Sequence, residues 1–113
     1  VPETIEAGEH DRLLAWTSHL PQAASTALAR ALGRAGVHLD RLGPGGRDMT
    51  RLAHSSADIW TPTALDNAAS LSRALACLES ELAALREALE REDGQAVREF
   101  FDLRVGERRP DST

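Results

Sequence analysis

Two arginines in the middle of the chain offer the clearest ligand chemistry. Arg47 and Arg51 are four residues apart, so on a helix they share one face, with Asp48 beside them. A guanidinium presents paired N–H donors that match the two oxygens of a carboxylate, and the pair could clamp an acidic ligand. The alternative is a solvated basic turn whose arginines pair with nearby acidic side chains. The residues alone leave both interpretations open.

Two histidines form a second set of candidate polar groups. His10 and His19 are nine residues apart, so on one unbroken helix they would face opposite sides. Only tertiary folding could bring both to one pocket; otherwise each is a surface or capping histidine. Ser18 and His19 do not indicate a nucleophile, because neighbours on a helix point to different faces.

The motifs of several enzyme classes are absent from the sequence. It contains no G-x-G-x-x-G after a strand, no G-x-x-x-x-G-K and no H-E-x-x-H. The glycine-rich stretch 43–46 lacks the strand-to-helix setting that a phosphate loop needs. Cys77 is the only cysteine, so the sequence offers neither a zinc cluster nor an internal disulfide. We expect no metal site and a reducing, cytoplasmic compartment.

The charge balance narrows the possible partners. Lys and Arg number 13 against 18 Asp and Glu, which gives a net charge of −5. An acidic chain argues against a nucleic-acid-binding face. No apolar run approaches the roughly 18 residues of a membrane span, so we expect no membrane partner. A length of 113 residues fits one domain, and the start at Val1 without Met is consistent with an excised domain or a processed product.

Helices must position the candidate residues, since strand signals are nearly absent. The sequence predicts a first helix over about 3–17, a break at Pro21 with a restart near Leu20, and a second helix that Gly33 and Gly36 end. The fold class predicted from this pattern is an all-α helical bundle.

The second half of the chain should contain three further helices. A short helix is predicted over 48–53, and Pro62 is expected to be the first residue of a long helix. Asp93 and Gly94 should end that helix, and a last helix should carry the four apolar residues Val97, Phe100, Phe101 and Leu103.

The long helix carries the strongest structural signal. Its apolar residues alternate spacings of four and three, and they are Ala64, Ala68, Leu71, Leu75, Leu78, Leu82, Leu85 and Leu89. Such a heptad stripe, flanked by Glu and Arg, is typical of helices that pack along their length. An intramolecular bundle is compatible with it, and so is packing against a second chain. We predict the latter, an intertwined two-fold homodimer.

Three segments together resemble the prephenate and arogenate dehydrogenases of tyrosine biosynthesis. His10-Asp11 followed by Ser18-His19-Leu20-Pro21 resembles the family's "HD…SHLP" helix. The sequence GGRDMTRLA at 45–53 resembles its "G-G-F-R-D-T-T-R-I-A" segment, and Trp60 with Asn67 seven residues later resembles its "W…N" opening of the long helix. The similarity runs in register from about residue 3 to 107.

This resemblance implies a domain of a larger enzyme. Residues 1–107 would be the C-terminal helical domain, and 108–113 a disordered polar tail. Members of the family oxidise a ring carbinol by passing hydride to NAD or NADP, with loss of the ring carboxylate as CO2. The cofactor and the catalytic His belong to an N-terminal Rossmann domain that is absent from this chain. We therefore expect no catalytic residue, no bound cofactor and no activity in this fragment alone.

The resemblance also implies roles for individual residues. The helical domain supplies the dimer interface and one wall of the pocket for a carboxylate substrate. By position, Arg51 would bind a substrate carboxylate, His10 and His19 would line the pocket, and Trp60 would pack close to it. Arg47 and Asp48 would orient the arginine and the loop, the glycine loop would approach the other subunit's pocket, and the supporting residues would include Gly45 and Thr50.

Two residues depart from the family pattern. Gln22 stands where many prephenate-specific members have His after "SHLP", and it belongs among the substrate-binding candidates. A neutral amide can hydrogen-bond but cannot offer a positive charge to a pyruvyl carboxylate, which favours arogenate or dual use. Gly46 stands where the family usually has Phe, which we expect to loosen the loop.

Two other interpretations compete with the dehydrogenase domain. One is a stand-alone, non-catalytic binding or regulatory module derived from it. The other is an unrelated helical dimerisation domain that matches by chance. A Rossmann coding region directly upstream in the gene would favour the dehydrogenase, and a free-standing reading frame would favour the module.

Overall fold

The computed structural model describes residues 2–106, and these form helices joined by short turns. Within this range no residue lies in a strand, which confirms the all-α prediction. The predicted tail at 108–113 lies outside the described residues. None of the helices in the described range is long and apolar enough to cross a membrane. The chain divides into two compact units, Val1–Leu75 and Ala76–Thr113.

The first unit opens with a helical stretch that does not break. Helix α1 (Pro2–Leu14) runs through a π-helical turn (Ala15–His19) into α2 (Leu20–Arg34). Residues on both sides of the turn keep right-handed helical dihedral angles. The predicted break at Pro21 is therefore wrong. Proline lacks an N–H and its ring crowds the carbonyl four residues earlier, and the wider π turn accommodates both without ending the helix.

Glycine ends α2, as predicted. Gly36 has a φ of 76°, in the left-handed region. The amide of Val37 donates to the Leu32 carbonyl at 2.9 Å, and the amide of Gly36 donates to the Gly33 carbonyl at 3.1 Å. This pair of bonds is a Schellman motif, which satisfies the last carbonyls of the helix.

The segment that carries the two arginines is more helical than predicted. A short 3₁₀ turn (Leu39–Arg41) precedes α3 (Pro44–Thr50), and a second 3₁₀ turn (Arg51–His54) follows it. The predicted helix at 48–53 thus begins four residues too late. Pro44 occupies the first helical position, where its missing N–H leaves no hydrogen bond unmade.

The long helix also differs from the prediction. Helix α4 (Ala57–Asp66) begins directly after Ser56, whose Oγ accepts a hydrogen bond from the amide two residues on at 3.2 Å. Pro62 consequently lies inside α4 and not at its start. At Asn67 the backbone leaves helical geometry, with φ −122° and ψ 35°, and α5 (Ala68–Glu90) follows. A serine cap upstream and the interruption at Asn67 explain why one helix starting at Pro62 is wrong.

Small and polar residues fill the interior of the first unit. Helix α2 packs against the turn Arg51–His54, the π turn and α3. The buried residues of the first unit are Ala15, His19, Gln22, Ser25, Thr50, Leu71 and Ala74. Among the side chains described, no large one is fully buried. The unit therefore brings its elements close through alanine and hydrogen-bonded polar groups instead of a large apolar core.

The second unit contains the rest of α5, then α6 (Gly94–Phe101) and α7 (Leu103–Gly106). Glu92 follows α5 with a φ of 51°, and the amide of Asp93 donates to the Ala88 carbonyl at 2.9 Å in a second Schellman motif. The Asp93 carboxylate then accepts from the Ala96 amide at 3.1 Å and caps α6. The predicted end of the helix at Asp93 and Gly94 is confirmed.

The two Schellman motifs yield a paired stability prediction. No atom would obstruct a Cβ at Gly36, so Gly36→Ala should destabilise the fold by about 1–2 kcal/mol through its left-handed backbone alone. Glu92 already bears that strain, so Glu92→Gly should stabilise by about 0.5–1 kcal/mol once the entropy of glycine is subtracted. Urea unfolding midpoints measure both changes. Shifts of the same sign in the two variants would contradict this account.

Candidate functional site

Three of the predicted site residues line one cavity. His19 reaches it from the π turn, Gln22 from α2 and Trp60 from α4, and its volume is about 640 Å³. Most of the remaining wall is apolar and small, with Ala23, Ala27, Ala53, Ala57, Ala64 and Leu65 among the lining residues. The cavity thus combines an apolar wall with a few polar groups, which is the usual composition of a small-molecule site.

His19 is fixed on two sides. It is only 9% exposed, and its ring meets the Trp60 ring edge to face, with centroids 6.0 Å apart and planes at 81°. Its Nδ1 lies 3.3 Å from the amide nitrogen of Asn67. That nitrogen also donates to the carbonyl oxygen of Asp11 at 2.7 Å. Asn67 therefore links α1, the π turn and the junction of α4 with α5.

The side chain of Gln22 lines the cavity and also makes a hydrogen bond within the fold. The residue is 7% exposed, and its Nε2 donates to the backbone carbonyl of Leu52 at 2.7 Å. A longer contact of 3.4 Å joins the same nitrogen to Thr26 Oγ1. Because the nitrogen is occupied by Leu52, the side chain ties α2 to the turn Arg51–His54 and leaves its oxygen as the group for a ligand.

Arg51 lies outside this cavity. It lines a second, open cavity of about 670 Å³ together with Arg47, Asp48, Thr50 and His54. Its side chain is 72% exposed, and its Nε lies 3.5 Å from the Asp48 carboxylate. Arg47 instead donates to the Asp40 carbonyl at 3.2 Å. The two guanidiniums have separate partners, and the structure does not bring Arg51 together with His19, Gln22 and Trp60.

The remaining predicted residues have structural or exposed positions. His10 is exposed on α1 and lines neither of these two cavities, and Gly45 is exposed on α3. Thr50 is 2% exposed, and its hydroxyl donates to the Gly46 carbonyl at 2.9 Å within α3. The expectation that Gly46 loosens a loop is wrong, because Gly46 lies inside α3. A Cβ at this position would come within 3.1 Å of Leu42 Cβ.

Sequence reasoning missed most of the wall of the first cavity, including Thr26 and Arg30, and the role of Asn67. Thr26 and Arg30 line the cavity with Gln22, and spacings of four place all three on one face of α2. That spacing was a usable signal, and Arg30 adds a guanidinium to the cavity wall. The motif formed by Trp60 and Asn67 assigns no individual role to Asn67. No local feature of the sequence indicates that Asn67 contacts His19, which is 48 residues away, and Asp11, which is 56 residues away.

Metal ligands do not cluster in the described part of the chain. No group of three His, Cys, Asp or Glu side chains there could hold an ion, and Cys77 is exposed with a free thiol. The polar groups of the two cavities are hydrogen-bond donors and acceptors on neutral and cationic side chains, with carboxylates at the second. This arrangement suits binding of an acidic organic molecule better than binding of a metal.

Comparison with known proteins identifies a family whose members the chain resembles. Residues 6–103 match the model of a family described as "Prephenate dehydrogenase, dimerization domain". A cyclohexadienyl dehydrogenase from Zymomonas mobilis is 32% identical over 102 residues, which cover 86% of this chain and 35% of that protein. A prephenate dehydrogenase from Lactococcus lactis is 29% identical over 102 residues, or 87% of this chain and 29% of that protein.

These matches cover only part of each relative. The chain spans about a third of the length of the curated relatives that it matches. No solved structure matches it significantly.

Proposed function

The chain belongs to the prephenate dehydrogenase dimerization-domain family, and from this premise we propose that it is the C-terminal dimerising and substrate-binding domain of a prephenate or arogenate dehydrogenase. The complete enzyme would catalyse oxidative decarboxylation in tyrosine biosynthesis, in the cytoplasm. The match over residues 6–103 supports this proposal, and both relatives carry the names of dehydrogenases.

We place the NAD or NADP cofactor in an N-terminal Rossmann domain outside this chain. The described residues form helices and turns, without the strand–turn–helix unit on which dinucleotide phosphates are held. They do not fit the cofactor, and no redox step is assigned to them. The tasks proposed for this chain are to bind and orient the substrate and to join two protomers.

The observation that carries the substrate-binding proposal is the convergence on the first cavity. His19, Gln22 and Trp60 come from three elements, and each belongs to or adjoins a segment that resembles the family. The indole and the alanine wall suit one face of a ring compound. The His19 imidazole, the Gln22 carbonyl oxygen and the Arg30 guanidinium suit its polar substituents.

Arg51 has a different place in the proposal. Its exposed guanidinium, paired with Asp48 at 3.5 Å, is available to a ligand that approaches from outside this chain's own fold. We propose that it binds a substrate carboxylate once the Rossmann domain and the second protomer complete the pocket. His10, which is also exposed, would line the pocket only in that assembly. The glycine segment at Gly45 would approach the pocket of the other subunit.

Exposed apolar side chains support the proposed homodimer. On α4, Ile59 and Leu65 are exposed, and on the second half of α5 so are Leu82 and Leu89. Leu82 and Leu89 are seven residues apart on the heptad stripe, so they lie on one face of α5. Exposed leucines at heptad spacing along one helix are typical of a helix that packs against a partner. A second copy of the chain is the occupant that the family description favours.

Separating the chain from the rest of the enzyme gives the first functional test. We expect the purified 113-residue chain to bind no NAD and to show no dehydrogenase activity, since the cofactor would be held by the other domain. The enzyme that carries the chain should be active under the same conditions. Calorimetric titration with NAD and a spectrophotometric assay with prephenate and arogenate measure both properties. Turnover above background by the chain alone would refute the proposed division of tasks.

The second test concerns substrate choice. Gln22→His should raise kcat/KM for prephenate relative to arogenate by about tenfold, the value of one charge-assisted hydrogen bond of roughly 1.5 kcal/mol. One ring nitrogen can replace the donor to Leu52, and the other can face the pyruvyl carboxylate. Steady-state kinetics of the full-length enzyme on both substrates measure the ratio.

Gln22→Leu serves as its control, because it removes the bond to Leu52 without adding a charge. We expect that variant to be less stable but to keep the selectivity of the wild type. An unchanged selectivity ratio in Gln22→His would remove residue 22 from the specificity argument.

A further inference from the structure

The side chain of Asn67 has a defined orientation. Its Nδ2 lies 2.7 Å from the carbonyl oxygen of Asp11 and 3.3 Å from Nδ1 of His19. A carbonyl oxygen only accepts hydrogen bonds, so the atom that faces Asp11 must be the amide nitrogen and not the amide oxygen. The second hydrogen of that nitrogen is therefore the one available to His19.

This orientation determines where the His19 ring carries its proton. Because Nδ2 of Asn67 can only donate, Nδ1 of His19 must accept, and in the neutral ring the proton then sits on Nε2. No hydrogen bond from a described residue reaches Nε2. The one buried side-chain N or O atom without a partner in the described residues is Ser25 Oγ, so Nε2 is accessible to solvent. His19 lines the first cavity, and its Nε2–H has no acceptor among the residues that the structure describes.

We infer that Asn67 is a positioning residue for this cavity, which holds His19 in the Nε2–H form so that the ring donates a hydrogen bond to an oxygen of the ligand. The nature of the ligand, a ring compound with carboxylate or carbonyl oxygens, rests on the proposed function. The proton position rests on the contacts alone.

The backbone around Asn67 suits this role. Its own amide donates to the Ala64 carbonyl at 3.2 Å at the end of α4, and its carbonyl accepts from the Leu71 amide at 3.0 Å at the start of α5. Both ends of the residue are therefore fixed. The edge-to-face contact with Trp60 limits rotation of the His19 ring. A residue that only closed α4 would need none of the side-chain contacts to Asp11 and His19.

Nitrogen-15 NMR of the imidazole rings tests the proton position without any substrate. In the 113-residue chain at a pH where the rings are neutral, proton–nitrogen correlations distinguish the two tautomers, and a His19→Gln variant assigns the signal. We expect Nε2–H for His19 in the wild type. In Asn67→Asp the carboxylate can only accept, so we expect Nδ1 to become protonated. A wild-type ring protonated on Nδ1, or an Asp variant that keeps the wild-type pattern, would overturn the inference.

A double-mutant cycle in the full-length enzyme tests the consequence for binding. Asn67→Ala and His19→Phe, which keeps a ring against Trp60 but has no donor, should each raise KM about two- to twelvefold, the range of one hydrogen bond. Since Asn67 acts through His19, the double variant should be no worse than His19→Phe alone. Gln95→Ala is the matched control, because it removes an exposed amide that donates to Glu99 at 3.1 Å on α6, and it should leave KM unchanged.

The NMR experiment and the double-mutant cycle distinguish a failure of the positioning role from a failure of the proposed substrate site. Effects of Asn67→Ala and His19→Phe that multiply would show that Asn67 acts independently and would overturn the positioning role. An unchanged KM in His19→Phe, with the expected NMR pattern intact, would refute this cavity as the substrate site and leave the proton assignment standing.

Discussion

Replacing Leu82 and Leu89 together by glutamate is expected to convert the proposed dimer to a monomer. Both side chains are more than half exposed, at 54% and 56%, and they share a face of α5. If the second copy covers them, two protomers bury the exposed half of four leucines, about 0.8–1.5 kcal/mol each. Loss of roughly 3–6 kcal/mol would raise the dissociation constant by at least about two orders of magnitude. Light scattering at micromolar concentration measures the mass.

Ser80→Glu is the control for this experiment. It adds a negative charge to the same helix two residues before Leu82, on a different face, where the side chain is exposed. We expect Ser80→Glu to remain dimeric and both variants to keep their helical circular dichroism. A wild-type chain that is already monomeric at this concentration would contradict the dimer itself and favour the intramolecular bundle.

In the full-length enzyme, Arg51→Ala is expected to raise KM by about 10- to 150-fold, which corresponds to 1.5–3 kcal/mol for a hydrogen bond to a charged group. Among the described residues, the guanidinium pairs with the exposed carboxylate of Asp48. A surface ion pair of this kind contributes at most about 1 kcal/mol to stability, so the fold should be little affected. Steady-state kinetics together with thermal unfolding distinguish the two effects.

Arg86 provides a matched comparison for Arg51. Its side chain is 62% exposed and it pairs with Glu90 on α5 at 3.4 Å. Arg86→Ala should leave KM unchanged while removing a similar ion pair. Arg51→Lys, which keeps the charge but loses the paired donors, should be intermediate. If Arg51→Ala binds substrate as well as Arg86→Ala does, residue 51 has no part in the site.

Local signals in the sequence predicted the fold class and two of the helix ends. Gly36 and the pair Asp93 and Gly94 end helices through backbone geometry and capping that depend on a few neighbouring residues. Two prolines misled the prediction, because each had a local alternative that the pattern did not reveal. A π turn precedes Pro21, and a serine cap lies upstream of Pro62.

The candidate site was predictable only in part. The resemblance selected His19, Gln22 and Trp60, and the structure brings them to one cavity. It did not reveal that Gln22 hydrogen-bonds to Leu52, 30 residues away, because such a bond exists only after α2 packs on the turn Arg51–His54. The same reason hid the contact of Asn67 with Asp11. The resemblance also selected Arg51 and His10, which lie outside this cavity.

The π turn at Ala15–His19 shifts the phase of the first helical stretch. Each residue of an α-helix advances the side-chain direction by about 100°, and a π turn takes up an extra residue without advancing as far. Faces counted forward from α1 therefore do not predict which residues of α2 point toward α4. Deleting one residue between Ala15 and His19 should restore a regular helix and keep Gln22, Thr26 and Arg30 on the face of α2 that lines the cavity, because four α-helical residues turn about as far as the π turn does. Sequence alignments of this segment should accordingly be anchored on α2 and not extended through the turn by helical periodicity.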